Sequence, residues 1–321
     1  MEKPRVSTHK ARRDLRYVMS LGQAARRPRY WPSFLLLGLF RLLAFLPLPA
    51  LRTLGAGLGA LMRLSNGKRR RIVEVNLGLC FPDQSPQRRR WLLRRHFRCL
   101  GQSFVDLAFL AWAGRRRVMR HTRIHGLRHF RDNLARGRRI ILLAPHCVGM
   151  NYGGSVLSQE HPIFSMAKAQ KDPVLNWILE RARTRFGGAP FLRDQGLRPV
   201  IKGIQAGTPF YYLPDEDFGP RGAVFAPFFG VPRATLTMTA RLAALTDAVV
   251  IPCFTRLLPG GRGYEIRLAP PLAHYPTGDE NEDARRINAA IEQGLEDMPE
   301  QYMWTLRIFR TRPPGEPPVY D

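Results

Sequence analysis

The sequence has few cysteines and few lysines for its length, and both shortages narrow what the protein can be. Its 321 residues contain four cysteines, and none of them form a C-x-x-C pair: Cys80, Cys99, Cys147 and Cys253. Four scattered thiols cannot hold together a chain of this size, so we exclude a disulfide framework, do not expect structural zinc and favour a reducing compartment. Only six of the 51 basic residues are lysines, and the other 45 are arginines, whose planar guanidinium suits phosphate and carboxylate oxygens.

Acidic residues are scarce in the first 139 residues. That part holds 32 Lys and Arg but only 6 Asp and Glu, whereas residues 140–321 hold 19 of each, so the first part carries the whole net charge of +26. A basic part beside a neutral part indicates a polyanionic partner, either nucleic acid, an anionic membrane or an acidic protein. The 45% content of hydrophobic residues excludes a disordered basic tail.

Several binding signatures are missing. The sequence has no G-x-x-x-x-G-K-[ST] loop and no G-x-G-x-x-G after a predicted strand, so nucleotide binding is unsupported. Four of the eight histidines, considered as possible ligands, lack metal-ligand spacing with acidic neighbours: His121, His125, His129 and His161. We therefore predict neither a metal nor a cofactor. Because no nucleic-acid-binding motif is recognisable, and the basic runs flank an apolar segment, we also predict no nucleic-acid partner.

No charge-free apolar run reaches the roughly 18–20 residues of a simple membrane-spanning helix. Residues 30–62 are strongly apolar, but Arg41 and Arg52 interrupt them, as do Pro47 and Pro49. Basic clusters at 26–29 and 68–71 flank this segment, and a single span would place one cluster on the far side of the membrane. We predict a basic segment at 1–29 and a hydrophobic helical anchor at 30–67, either a hairpin or a monotopic helix pair. A single span and a buried helix pair remain the alternatives.

From residue 139 onward, short apolar runs alternate with helical patterns. Residues 140–144 form an apolar run that ends at Pro145 and is typical of a buried strand. Similar runs predict strands at 163–166, 190–192 and 209–213, separated by helices near 173–186 and 197–206. A helix at about 235–246 precedes a predicted hairpin of 249–257 and 264–268, and the last helix lies near 282–297. With a helical reading of 68–139, the sequence predicts one α/β domain over 68–321, with a mostly parallel sheet flanked by helices.

Candidate functional residues follow the predicted strands. His146 stands where the first strand ends and a helix begins, at the edge of such sheets that carries function. The run Asp215-Glu216-Asp217 follows the strand 209–213, and three carboxylates there could bind a cation, orient an imidazole or form an exposed acidic turn. We predict that substrate is bound by two of these carboxylates and two nearby arginines: Asp215, Asp217, Arg193 and Arg221.

Five sequence blocks stand out along the chain: PRYW at 28–31, NLGLCFP at 76–82, PDEDFGP at 214–220, FAPFFG at 225–230, and PEQYMW at 299–304 followed by RTRP at 310–313. In this order they resemble the late acyltransferases of lipid A biosynthesis, the lauroyl/myristoyl transferase family of Gram-negative bacteria. The resemblance covers nearly the whole chain from Pro28. It implies a glycerol-3-phosphate-acyltransferase-like fold with an N-terminal membrane anchor, placed at the cytoplasmic face of the bacterial inner membrane.

The family carries out its chemistry with a His-x4-Asp/Glu motif, and His146 matches the histidine. The resemblance implies that His146 takes a proton from a hydroxyl of the lipid A precursor, whose oxygen then attacks the thioester of an acyl carrier protein. Asn151 stands where the family has an acid. Asn151 could orient the ring through its amide oxygen, Asp215 or Asp217 could supply the missing charge, or the protein could be a weakened or non-catalytic relative. We predict an active enzyme in which Asn151→Asp retains or raises activity.

The resemblance also implies three anionic partners that suit the basic part of the chain: acyl carrier protein, a phosphorylated glycolipid acceptor and anionic membrane lipid. Another membrane glycolipid or a lysophospholipid is the alternative acceptor. An acyl chain needs an apolar channel, for which the candidates are Phe225, Phe228, Phe229, Met238 and Trp304. Cys147, next to His146, is expected to be a small buried residue and not an acyl-enzyme nucleophile.

Overall fold

The computed structural model describes residues 19–320, so most of the predicted basic segment at 1–29 lies outside the described residues. The first part of the described chain is helical, with α1 (Leu21–Ala25), α2 (Trp31–Leu43), α3 (Leu48–Ser65), α4 (Gly67–Cys80), α5 (Pro86–Trp112) and α6 (Arg115–Arg120). Strands and helices alternate after it: β1 (Thr122–His125), α7 (Leu127–Ala135), β2 (Arg139–Leu143), α8 (Met150–Leu157), β3 (Phe164–Ala167), α9 (Pro173–Thr184), β4 (Ala189–Leu192), α10 (Arg198–Gln205), β5 (Phe210–Tyr212), β6 (Ala223–Phe228), β7 (Val231–Leu236), α11 (Met238–Thr246), β8 (Ala248–Leu257), β9 (Tyr264–Leu268) and α12 (Glu280–Leu295).

Seven strands form the central sheet in the order β1-β9-β8-β2-β5-β3-β4. From β8 to β4 the neighbours run parallel. The predicted hairpin of β8 and β9 is confirmed as an antiparallel pair, and β1 runs parallel to β9. Strand β2 is buried along nearly its whole length because helices cover both faces of the sheet, as its continuous apolar run predicts. The predicted mixed α/β fold with a mostly parallel sheet is therefore confirmed.

The prediction that residues 68–139 are helical throughout is wrong at Thr122–His125. These four residues form β1, an edge strand whose residues alternate between half-buried and exposed. Its partner in the sheet, β9, lies more than 130 residues further along the chain, beginning at Tyr264. A four-residue strand flanked by basic helical sequence carries too short a pattern to be recognised locally. A second sheet, the antiparallel hairpin of β6 and β7, was also not predicted.

Helix α3 packs closely and in antiparallel fashion on α5. The contact depends on glycines, because a Cβ on Gly59 would lie 2.0 Å from the carbonyl oxygen of Phe97, and one on Gly55 would lie 2.5 Å from the Cα of Gln102. A buried ion pair joins the same helices, with 3.2 Å between Arg52 Nε and an Asp106 carboxylate oxygen. The segment 30–67 is therefore packed against the rest of the protein along α3.

Helix α2 has one buried face and one exposed apolar face. Phe40 on the inner face packs on Phe104 of α5, with 5.3 Å between ring centroids. The outer face and the turn after it carry exposed apolar side chains, which we call the apolar stripe: Trp31, Leu35, Leu39, Leu42 and Phe45, between 50% and 77% exposed. The chain breaks between α2 and α3 at the predicted prolines. Among residues 19–320, no helix combines the length and the apolar character needed to cross a bilayer.

Candidate active site

His146 lies in the loop between β2 and α8, at the carboxyl end of the central strand β2. The C-terminal segment 299–304 holds this loop through main-chain hydrogen bonds. The Met303 N–H donates to the His146 carbonyl oxygen, and the Val148 N–H donates to the Gln301 carbonyl oxygen, each at 2.8 Å. The block PEQYMW therefore supports the loop that carries the candidate base.

The Asp215 carboxylate orients the imidazole of His146 through two hydrogen bonds. One carboxylate oxygen accepts a hydrogen bond from His146 Nδ1 at 2.7 Å, and the other accepts the His146 backbone N–H, also at 2.7 Å. The Asp215 side chain is fully buried, whereas that of His146 is 15% exposed. Because Nδ1 donates to the carboxylate, Nε2 is the nitrogen left to accept a proton. The two-point contact fixes both the tautomer and the direction of the ring.

The two groups shift each other's pKa in opposite directions. Burial acts to lower the pKa of His146, but the charge and hydrogen bond of Asp215, with a further contribution from Glu216, raise it above the ordinary value. Burial acts to raise the pKa of Asp215, but the charge and hydrogen bonds of His146 and the charge of Arg233 lower it. Asp215 is therefore the ionised partner of a histidine with increased basicity.

A cavity of about 610 Å³ opens above His146 at the carboxyl ends of the parallel strands. Its walls include four charged or polar side chains from the segments that were predicted to be functional: Arg193, Glu216, Arg221 and Asn151. A Glu216 carboxylate oxygen lies 3.8 Å from His146 Nε2, and the other lies 3.6 Å from Arg193 Nη1. Arg193 also stacks over Phe218, with 4.3 Å from its guanidinium carbon to the ring centroid.

Asn151 contacts an arginine and not the catalytic ring. Its amide oxygen accepts a hydrogen bond from Arg183 Nε at 2.9 Å. Arg183 also lines the cavity, and burial lowers its pKa. Its positive charge acts to lower the pKa of His146, so the two groups lie close enough to interact. Because Asp215 occupies Nδ1, Asn151 does not orient the imidazole through that nitrogen, and a catalytic role for Asn151 stays a prediction.

The close packing of α8 on β8 positions Asn151. A Cβ on Gly153 would lie 1.9 Å from the hydroxyl oxygen of Thr255, so only glycine allows this approach. Gly154 faces the cavity instead, and a Cβ there would be in ordinary contact with the Tyr211 ring, 3.5 Å away. Gly153 thus determines how near α8 lies to the sheet.

The structure separates the two aspartates that were predicted to bind substrate. Asp215 contacts His146 beneath the cavity. Asp217 does not line the cavity, and its carboxylate accepts hydrogen bonds from the backbone and the hydroxyl of Thr311 at 2.6 and 2.7 Å. The blocks PDEDFGP and RTRP are thereby joined. Arg193 and Arg221 remain candidate substrate contacts because both line the cavity.

Other sequence candidates are sorted by burial. Cys147 is buried as expected, and burial raises the pKa of its thiol well above the ordinary value, so the reactive thiolate is disfavoured. Among the five candidates for an apolar channel, Met238 lines the cavity. Trp304 and Phe228 are instead fully buried in the protein core.

Sequence reasoning missed three residues of the site. Glu216 was part of the acidic run but was not chosen as a site residue, although one of its carboxylate oxygens lies 3.8 Å from Nε2. Arg183 lies in a charged helix where no local signal separates it from Arg181. Arg233 is 2% exposed and lies near Asp215 and Tyr302, with 3.5 Å between its Nη1 and the tyrosine oxygen. Its strand, β7, was not predicted.

Comparison with known proteins identifies the family of this chain. The sequence pattern of the family described as "Bacterial lipid A biosynthesis acyltransferase" matches residues 19–311. The lipid A biosynthesis lauroyltransferase of Escherichia coli K12 is 34% identical over 298 residues, covering 92% of this chain and 97% of that protein. The lipid A biosynthesis myristoyltransferase of the same organism is 31% identical over 305 residues, covering 94% and 93%. A lipid A biosynthesis acyltransferase of Haemophilus influenzae is 33% identical, covering 92% of each chain. The chain therefore belongs to the bacterial lipid A biosynthesis acyltransferase family.

Proposed function

We propose that the protein transfers a fatty acyl chain from acyl carrier protein to a hydroxyl of a phosphorylated lipid A precursor. Family membership supports acyl transfer in lipid A biosynthesis. The observation that carries the proposal is the hydrogen-bonded pair of His146 and Asp215 beneath a cavity that Nε2 can reach. The same pair supports catalysis despite Asn151, because Asp215 supplies the carboxylate that the motif lacks.

The reaction uses His146 first as a base and then as an acid. Nε2 takes the proton of the acceptor hydroxyl while the oxygen attacks the thioester carbonyl carbon, and Asp215 stabilises the imidazolium that forms. The tetrahedral intermediate collapses with cleavage of the C–S bond. The new ester remains on the acceptor, and the thiol of the carrier leaves with the proton from His146. Arg183, with its charge facing the cavity, supports the oxyanion of the intermediate.

The charged rim of the cavity suits a phosphorylated acceptor. Arg193 and Arg221 are exposed side chains that line the opening, and guanidinium groups bind phosphate oxygens with paired hydrogen bonds. Arg193 Nη1 lies 3.6 Å from a Glu216 carboxylate oxygen, so an entering phosphate would compete with that carboxylate for the arginine. Such competition would leave Glu216 free beside Nε2.

Membrane association at the cytoplasmic face of the inner membrane is the second part of the proposal. Five exposed apolar side chains on one face of α2 and the turn after it are typical of a surface that contacts lipid. The other face of α2 packs on α5 and α9, so the stripe is free to insert into one leaflet.

A reconstituted acyl transfer assay tests the proposed chemistry. We expect purified wild-type protein to acylate a defined lipid A precursor from acyl carrier protein, and His146→Ala to reduce the rate by at least about 10²–10⁴-fold through loss of general-base catalysis. His161→Ala serves as the matched control, because that ring lies outside the cavity wall and its hydrogen bond goes to the neighbouring carbonyl of Pro162. An His146→Ala enzyme with full activity would overturn the mechanism. If the lipid A of a deletion strain keeps all its secondary acyl chains, as measured by mass spectrometry, the acceptor is a different lipid.

A further inference from the structure

A second cleft, far in sequence from the catalytic loop, lies between α3, α4 and the start of α5. It has a volume of about 420 Å³, and we call it the arginine cleft after its main charged residues: Arg63, Arg70, Arg89, Arg90 and Arg94, together with Glu74. Leu77 and Leu93 form the apolar part of its wall. Nothing in the proposed acyl transfer uses these residues.

Two of the five arginines have partners that explain their positions. Arg89 donates three hydrogen bonds of 2.8–3.0 Å to main-chain carbonyls of the turn between α4 and α5. Arg70 lies 3.7 Å from Glu74, one helical turn further along α4. Within the part of the chain that the structure describes, Arg63, Arg90 and Arg94 have no carboxylate partner. Three uncompensated guanidinium groups around one cleft favour an anionic ligand.

The helices that form the cleft also carry exposed apolar side chains outside its wall. Leu61 and Leu64 flank Arg63 on α3 and are 60% and 64% exposed. Trp91, beside Arg90, is 42% exposed, and the Arg88 guanidinium stacks on its ring at 4.2 Å. Tryptophan and arginine together are typical of the interface between lipid headgroups and acyl chains. The cleft itself places the guanidinium groups beside the apolar wall of Leu77 and Leu93, and a lipid presents phosphate and hydrocarbon together.

We propose that the arginine cleft binds the headgroup of an anionic membrane lipid, with Arg63, Arg90 and Arg94 on the phosphate and the neighbouring leucines in the acyl region. The inference rests on the proposed membrane association and is independent of the proposed chemistry. The cleft adds a contact that depends on lipid charge to the apolar stripe, which binds lipid of any charge. Helix α3 connects the two surfaces in the chain, and the proposal requires that both face one membrane.

Vesicle flotation of the full-length protein tests the cleft. The vesicles contain either phosphatidylcholine alone or phosphatidylcholine mixed with phosphatidylglycerol. We expect the triple variant Arg63→Gln, Arg90→Gln, Arg94→Gln to partition onto the mixed vesicles roughly 100-fold more weakly than wild type, and onto neutral vesicles equally well. The control variant Arg128→Gln, Arg136→Gln, Arg138→Gln loses the same charge from exposed residues at α7, which packs on β2 and β9, and should bind like wild type. Thermal unfolding of both variants verifies that they are folded.

Three results would overturn the inference. Equal losses in the cleft and control variants would mean that net charge, and not the cleft, attracts lipid. A cleft variant that floats normally but no longer binds acyl carrier protein would identify the cleft as a protein-docking surface. A Leu35→Gln, Leu42→Gln variant of the apolar stripe should bind both kinds of vesicle more weakly while still preferring the anionic ones. If that preference disappeared while the cleft was intact, the cleft would not be its source. If this variant floated like wild type, the proposed membrane association would fail separately.

Discussion

At the scale of single residues, the imidazole of His146 lies between burial, which favours its neutral form, and the Asp215 carboxylate, which favours its charged form. The carboxylate prevails and raises the pKa. A base of this kind is effective only above its own pKa, so catalysis should be lost at acidic pH. Asn151 affects the same pKa through Arg183. Its neutral amide oxygen accepts a hydrogen bond from Arg183 but does not neutralise the guanidinium charge.

Two substitutions should move the pH profile of kcat/KM in opposite directions. Asn151→Asp places a negative charge against Arg183, which offsets the guanidinium that lowers the pKa of His146, so the acidic limb should move to higher pH with activity retained above it. Asp215→Asn removes the charge that raises that pKa, so the limb should move to lower pH while the maximal rate falls by about 10²–10⁴-fold. Rates measured across the pH range test both, and shifts in the same direction would contradict the assigned contacts.

At the scale of secondary-structure elements, the glycine contact determines how near α3 lies to α5. Gly59 meets the backbone of α5, which cannot move aside as a flexible side chain could. Gly57, on the same helix, has nothing within 4 Å of an added Cβ. The two positions therefore separate helix propensity from packing.

Gly59→Ala should destabilise the protein by at least about 1–3 kcal/mol, because the added methyl group forces the two helices apart. Gly57→Ala should have the opposite effect and stabilise it by up to about 1 kcal/mol, because alanine favours a helix more than glycine does. Chemical denaturation of both variants measures the difference. A Gly59→Ala protein as stable as wild type would show that the helices can separate at no cost.

At the scale of the whole molecule, the division of charge agrees with the division of structure. The basic first part supplies α2 to α6, with the apolar stripe and the arginine cleft, whereas the neutral part supplies most of the sheet and the cavity. The apolar stripe favours contact with hydrocarbon, whereas Arg63, Arg90 and Arg94 of the arginine cleft favour contact with anions. A membrane surface offers both within a few ångströms of each other.

Membrane fractionation tests this arrangement on the intact protein. Because the stripe inserts side chains and the cleft contributes charge, we expect high salt to release only a small part of the protein and detergent to release the rest. The Leu35→Gln, Leu42→Gln variant should become extractable by salt alone. Complete release of the wild-type protein by salt would contradict insertion of the stripe.

The sequence by itself determined the strands near 140–144 and 249–257, the helices between them and the position of His146 at the end of a strand. Continuous apolar runs and helical periodicity arise from burial within a few residues, and such signals are local. The tertiary structure decided which carboxylate forms the hydrogen bond to His146 Nδ1. That carboxylate belongs to Asp215, 69 residues further along the chain. It also decided that Asn151 pairs with Arg183, that Thr122–His125 pairs with a distant strand and that arginines from two helices share a cleft. Each of these depends on contacts between segments far apart in the chain, and a local pattern contains no information about them.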